Sequence, residues 1–369
     1  MAEYKYYTAT ELGLNGEAYE KRSLKFYDIR EASAFRIYGL YDYKSGESFR
    51  RLPEDVAAST SPAVKDLALH TAGGRVRFVT DSTAIAVRVF FKKLNLAPNL
   101  SPIGANGFDI YIRKGGKERF ESTLSPIAGM KRPPYDMPDG YADVTALPAG
   151  MKEITLNLPY FQPIDKLYIG LDSASVILPH SDYRFEKPIL YYGSSITQGL
   201  CASRPGMIYE AIISRKLDAN FINLGFGGAC LGEKAISDYI ATVDPSVFVY
   251  DYDHNSTVIG QYKNTHEALY LNFRSKHPDT PVIFVGRPDF WLDGYLNDRV
   301  GIENRKVLRK TYENALARGE KVYFIDGYNL FTYEGREDCT ADSIHPNDLG
   351  MHRMAEAIGA IVEIALNGN

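Results

Sequence analysis

The sequence predicts a two-part protein: a β-sandwich, jelly-roll-like domain over residues 1–180, then an α/β domain over 187–369 built on a five-stranded, doubly wound parallel sheet. Three observations predict it. Up to about residue 180 apolar residues recur with period two, beyond Pro188 short continuous apolar runs alternate with helix-period segments, and a polar stretch from Pro179 to Pro188 separates the two patterns. A length of 369 residues also exceeds what one hydrophobic core usually serves, which agrees with two domains.

In the first half, Ile85, Val87 and Val89 alternate with Ala86, Arg88 and Phe90, and Phe108, Ile110 and Ile112 alternate with Asp109, Tyr111 and Arg113. Ile154, Leu156 and Leu158 repeat the period, so all three segments read as half-buried strands. Gly73-Gly74 and Gly115-Gly116 read as hairpin-type turns, Pro126 to Pro138 as a long surface loop, and Pro62 to His70 as a short helix.

In the second half, Ile189–Tyr192, Phe221–Leu224, Val247–Tyr250, Val282–Val285 and Val322–Ile325 are short apolar runs rich in β-branched and aromatic residues, as strands covered on both faces should be. Helical patterns fall between and after them, near 207–216, 233–241, 262–276, 303–317 and 349–366. Strict alternation of strand and helix gives a parallel sheet with helices on both faces.

Composition narrows the function classes. A net charge of -4 with mixed signs supplies no basic field for nucleic acid. The opening residues, Met1 to Tyr7, are polar, and no later run approaches the length of a membrane span, so a cytoplasmic protein without a membrane partner is expected. Cys201, Cys230 and Cys339, an odd number with no close pair, fit reduced thiols better than a disulfide framework or a zinc site. Neither the dinucleotide fingerprint nor a P-loop is present. No cofactor and no metal is expected, and His180 or His254 with Asp251 or Asp253 makes no compact ligand set. A homo-oligomer is compatible with the sequence.

Ligands of open parallel sheets gather outside the carboxyl ends of the strands, and four blocks fall on such loops or before the last helix. The first, Gly193-Ser194-Ser195-Ile196-Thr197, follows the first strand; the second, Asn223 to Ala229, is rich in glycine; the third, Tyr250 to Ser256, carries Asn255; the fourth carries Asp342 and His345. Acyl transfer needs these residue types together. A serine hydroxyl attacks only when a base takes its proton, an imidazole is the better base when a carboxylate fixes its tautomer, and the tetrahedral intermediate needs donors at its oxyanion. Ser195, His345 and Asp342 supply the first three roles; the Ser195 and Gly228 N–H groups and the Asn255 amide supply the donors. Each residue also has a plainer reading, as turn former, helix cap or surface residue. What favours the catalytic reading is the occurrence of all four blocks in order.

These blocks resemble those of the SGNH hydrolases, also called GDSL esterases, over roughly residues 187 to 366. The resemblance implies a flavodoxin-like sheet, Ser195 as nucleophile and oxyanion donor, Gly228 and Asn255 as further oxyanion donors, and Asp342 with His345 as orienter and base. Ser194 replaces the Asp of the name-giving block, and Asp253 stands where the third block usually has Gly; both bear on turn geometry. Arg75-Val76-Arg77-Phe78, Asp81-Ser82 and Gly107-Phe108-Asp109-Ile110-Tyr111 are similar to an N-terminal sandwich that accompanies one bacterial branch of these esterases. That branch is tied mainly to ester cleavage, often deacetylation of carbohydrates, with occasional acyltransferases. The expected substrate is therefore a small-molecule or oligosaccharide ester, with an acyltransferase or an inert carbohydrate-binding protein as alternatives.

Two further features bear on substrate. The loop after the fourth strand, Gly286 to Trp291, joins the guanidinium of Arg287 to the only Trp, and both are candidate substrate contacts, although packing explains Trp291 as well. The 27 tyrosines fit sugar contact and strand propensity alike.

Overall fold

The computed structural model describes residues 4–14, 19, 22–44, 48–91, 94–95, 97–126, 139–288, 299–331 and 334–368. The chain divides into two compact units: Met1–Arg51, Leu69–Asp182 and Ser203–Gly206 in one, and Leu52–Ala68, Tyr183–Ala202 and Met207–Asn369 in the other.

The first unit holds strands β1 (Leu24–Asp28), β2 (Arg36–Tyr38), β3 (Arg75–Thr80), β4 (Ala84–Phe90), β5 (Phe108–Lys114), β6 (Lys117–Leu124), β7 (Gly140–Ala146), β8 (Lys152–Asn157), β9 (Lys166–Asp172) and β10 (Ile177–Pro179). They form two antiparallel sheets, β1-β9-β4-β7 and β10-β3-β8-β5-β6, with β2 also paired to β3. The period-two residues point as their spacing requires. Val76, Phe78, Ile85, Val87, Ile110 and Ile169 from both sheets share one buried core, while Ala84 and Ala86 on the opposite face of β4 pack under Leu12, Leu24, Phe26 and Tyr168. Arg88, on that same outer face, is buried and is held by the Asp139 carboxylate at 2.9 Å and the Leu12 carbonyl at 3.2 Å.

Gly115 and Gly116 join β5 to β6 at φ +58° and +75°, the left-handed pair that a two-residue hairpin turn demands. Gly73-Gly74 does not make a hairpin: it closes a turn on the Thr71 carbonyl and leads into β3, whose partners come from distant parts of the chain. Most of the expected loop at Pro126 to Pro138 lies outside the described residues. In the Gly107–Tyr111 motif, Asp109 is fully buried. It accepts from the Asn157 amide and from the Gly206 N–H, each at 2.8 Å, which ties Ser203–Gly206 to this unit.

Between β2 and β3 the chain forms α1 (Glu54–Thr60) and α2 (Pro62–Leu67), both in the second unit; α3 (Pro102–Asn106) precedes β5. The Ser61 hydroxyl caps α2 through the Val64 N–H, with Pro62 in the first turn where its missing donor costs nothing.

The second unit is a parallel sheet of β11 (Phe185–Gly193), β12 (Ala219–Gly225), β13 (Val247–Asp251), β14 (Val282–Val285) and β15 (Val322–Ile325), in the order β12-β11-β13-β14-β15. Besides α1 and α2, its described helices are α4 (Ser195–Gln198), α5 (Tyr209–Leu217), α6 (Lys234–Ile240), α7 (Gln261–Lys276), α8 (Arg299–Ala317) and α9 (Asp348–Asn367). The central strands β13 and β14 are buried along their whole length, which is why they read as unbroken apolar runs. Tyr191, Tyr192, Tyr250, Tyr252 and Tyr262 are fully buried here, so these five tyrosines build core and do not face a sugar. Among the described residues no helix is long and apolar enough to cross a membrane.

Strand order reverses at β11, which has β12 on one side and β13 on the other. Ligands of open parallel sheets bind outside the carboxyl ends where the order reverses, and there β11 runs directly into α4 and Ser195.

Candidate active site

Gly193 ends β11 in register with Gly225 of β12 and Asp251 of β13. A Cβ on Gly193 would collide with Thr197 Oγ1 and the Asp251 carbonyl, and one on Gly225 would collide with the Gln198 N–H, so both glycines are required for the turn to fold back over the sheet. Ser194 is the N-cap of α4, its hydroxyl accepting from the Ile196 N–H at 3.2 Å. That is the physical role open to the residue standing where the related block has Asp. Ser195 is the first helical residue, and its N–H therefore has no acceptor within the helix.

The Ser195 hydroxyl lies 2.8 Å from His345 Nε2, and His345 Nδ1 lies 2.7 Å from Asp342 Oδ2. A carboxylate can only accept, so Nδ1 carries the ring proton, and the neutral imidazole turns its Nε2 lone pair to the serine. Asp342 Oδ1 accepts the backbone N–H groups of Ile344 and His345 at 3.1 and 2.8 Å. Ser343 takes φ +71° to close this short loop. The loop is pinned on both flanks: Ala341 N–H donates to the His345 carbonyl, and Asn347 N–H to that of Cys339, each at 2.9 Å. Asn347 then caps α9 through the Leu349 and Gly350 N–H groups.

The glycine block comes next to the nucleophile. Gly227 backs onto Ser195, a Cβ there falling 3.3 Å from that of Ser195, and its N–H is taken by the Gln198 side-chain carbonyl at 2.9 Å. Gly228, at φ +70°, has open space around it, and its N–H makes no hydrogen bond among the described residues. The Asn255 amide oxygen accepts from the Cys230 N–H at 3.2 Å, which fixes the orientation of the amide and leaves its NH2 group to donate elsewhere. Asp253 is buried, and its Oδ2 accepts the Arg287 N–H at 3.2 Å, tying the third block to the loop after β14. Arg287 is half-buried; Trp291 lies outside the described residues.

Cys201 is the residue the sequence left without a role. It is buried, adopts φ +70°, and brings its sulfur within 4.8 Å of ligand atoms of Asp342 and His345. Among the described residues these three are the only group of this kind, and neither His180 nor His254 belongs to it. Burial, and then the Asp342 carboxylate, push the Cys201 thiol up to about 12, so it stays protonated and does not compete as a nucleophile. Nothing in the sequence spacing signals this approach, which depends on the left-handed turns at Gly199 and Cys201.

The arrangement offers an activated hydroxyl, a base with a fixed tautomer, and three separate donors, which is the equipment of acyl transfer. Residues 186–363 match the GDSL-like Lipase/Acylhydrolase family, and residues 24–177 match the N-terminus of SGNH-hydrolase-type esterases. No curated protein matches. A Bacteroides ovatus protein described as a GDSL-like lipase is 27% identical, with a TM-score of 0.79 over 93% of this chain and 98% of its own. The salicylyl-acyltransferase SsfX3 of a tetracycline biosynthetic pathway is 20% identical, with a TM-score of 0.69 over 91% and 95%. A family two carbohydrate esterase from Clostridium thermocellum, solved with cellohexaose, is 16% identical, with a TM-score of 0.55 over 80% and 93%. At these last two identities the likeness is one of fold.

Proposed function

Because the chain belongs to the SGNH/GDSL-type esterase family, we propose that it is a serine esterase removing short acyl groups, acetyl foremost, from carbohydrates or related small molecules through an acyl-enzyme on Ser195. The observation that carries this reading is the continuous chain from Ser195 Oγ through His345 to Asp342, at 2.8 and 2.7 Å. In the first half-reaction Ser195 Oγ bonds to the ester carbonyl carbon as His345 Nε2 takes the hydroxyl proton. The carbonyl oxygen becomes an oxyanion facing the Ser195 and Gly228 N–H groups and the Asn255 amide. Collapse breaks the bond to the alcohol, which leaves with the proton from Nε2. Water then attacks the acyl-serine with His345 again as base, releasing the carboxylic acid and restoring the serine. Asp342 holds the tautomer and steadies the imidazolium throughout.

The small acyl group is supported by Gly227, which backs onto Ser195 and offers no side chain to a long acyl chain. The carbohydrate class is drawn from fold likeness to the family two carbohydrate esterase. We keep Arg287 as a candidate contact on the alcohol side, since its loop is fastened to the third block through Asp253. A second reading, transfer of the acyl group to an alcohol other than water, is favoured by the likeness to the salicylyl-acyltransferase.

The test is a comparison of acetylated sugars with p-nitrophenyl esters of increasing chain length. Acetyl esters should exceed octanoyl esters by at least roughly tenfold in kcat/KM, the scale on which a few misplaced methylenes are discriminated. Faster octanoyl cleavage would replace the carbohydrate reading with a lipid-type esterase. A new ester that outpaces free acid when an alcohol is added would favour the transferase.

A further inference from the structure

We propose that Cys201, Asp342 and His345 form an inhibitory site for a thiophilic divalent cation of the Zn2+ type. The inhibitory part rests on the reading of His345 as the base of acyl transfer; the metal site itself does not. A thiol sulfur, an imidazole nitrogen and a carboxylate oxygen all lie within 4.8 Å of one another. Such a mixed three-ligand set with a position left for water suits zinc, whose bonds of roughly 2.0 to 2.3 Å place tetrahedral ligands roughly 3.3 to 3.8 Å apart. Closing from the observed spread needs side-chain adjustment on the order of an ångström, within reach of rotations at Cys201 and Asp342.

Access and backbone agree with this. Cys201 is buried, His345 half-buried and Asp342 exposed, so the cation enters from the Asp342 side and meets the sulfur last. The chain also holds a side chain at φ +70°, where glycine would sit without strain. An unusual backbone conformation beside a reactive centre is a reason to ask what its side chain does there.

Metal at either ring nitrogen stops the reaction. On Nε2 it takes the lone pair that accepts the Ser195 proton. On Nδ1 it displaces the hydrogen bond to Asp342 Oδ2, and the ring proton moves to Nε2, which then has no lone pair to offer. Binding replaces the thiol proton by the cation and releases it to solvent, with no change of oxidation state.

The experiment titrates the full chain with Co2+ as a spectroscopic stand-in for Zn2+, and follows p-nitrophenyl acetate hydrolysis with Zn2+ in parallel. Wild type and Ser195→Ala should both develop a thiolate-to-cobalt charge-transfer band at one equivalent, and Cys201→Ala and Cys201→Gly should not. Cys201→Gly, which suits φ +70°, should fold, keep basal hydrolysis, and require at least roughly tenfold more Zn2+ for half-inhibition, in line with the loss of metal affinity when a site is disturbed. A chelator should restore the zinc-treated wild type. Absence of the band in wild type and Ser195→Ala, or equal zinc sensitivity in Cys201→Gly, would overturn the site. If the protein cleaves no ester at all, the cobalt band still decides the metal site.

Discussion

Asp342 meets His345 at two points: Oδ2 faces the imidazole Nδ1 at 2.7 Å, and Oδ1 accepts the backbone N–H of the same residue at 2.8 Å. One carboxylate therefore sets both the tautomer of the base and the turn that carries it.

The two functions separate by substitution. Asp342→Asn can keep an oxygen on the Ile344 and His345 N–H groups, but it turns an NH2 toward Nδ1 and forces the wrong tautomer. We expect kcat on p-nitrophenyl acetate to fall by roughly 10³- to 10⁴-fold with the melting temperature almost unchanged. Asp342→Ala should lose the same activity and also some stability, since two backbone donors lose their acceptor. Near-normal turnover in Asp342→Asn would show that His345 needs no carboxylate.

Asn255 is expected to act on the transition state. Its amide orientation is fixed by the Cys230 N–H, so Asn255→Ala removes a pre-aimed donor. The outcome should be a loss of roughly 10²- to 10³-fold in kcat with little change in KM. A raised KM at constant kcat would instead make Asn255 a uniform substrate contact.

Acid stability follows from two buried histidines. Burial holds the His266 pKa down at about 3, and burial, followed by the nearby Arg51 charge, does the same to His70. Their value when unfolded is near 6.5, so between these limits the unfolded chain binds more protons than the folded one. The contribution is complete above pH 6.5 and is lost as pH falls through the window toward 3, at about 1.4 kcal/mol per pH unit for each histidine. Urea midpoints at pH 7 and pH 5 should differ accordingly, and His266→Gln should reduce the dependence by one proton. An identical slope in wild type and variant would mean that His266 is protonated in the fold.

The parallel sheet was readable because β13 and β14 are buried on both faces and leave unbroken apolar runs. The sandwich strands were readable because Ile85, Val87 and Val89 face the core with period two. Ser195, Asp342 and His345 could be singled out because each stands in a short block whose order along the chain matches one chemistry. Other features depend on contacts that no local pattern records. Placement of α1 and α2 in the second unit is one, and the Cys230 N–H that orients Asn255 is another. Cys201 escaped for the same reason: its approach to Asp342 and His345 depends on a left-handed residue that sequence preference would assign to glycine. The buried tyrosines of β11 and β13 decide between two readings that the sequence left open: at these positions aromatic content serves the core.

The most direct measurement is active-site labelling with a fluorophosphonate, followed by peptide mass spectrometry. Covalent attack is assigned to one hydroxyl, the one 2.8 Å from His345 Nε2. A single adduct on Ser195, absent in Ser195→Ala and strongly slowed in His345→Ala, is the expected result, with hydrolysis lost in step. An adduct on the neighbouring Ser194, or undiminished ester turnover in Ser195→Ala, would contradict it.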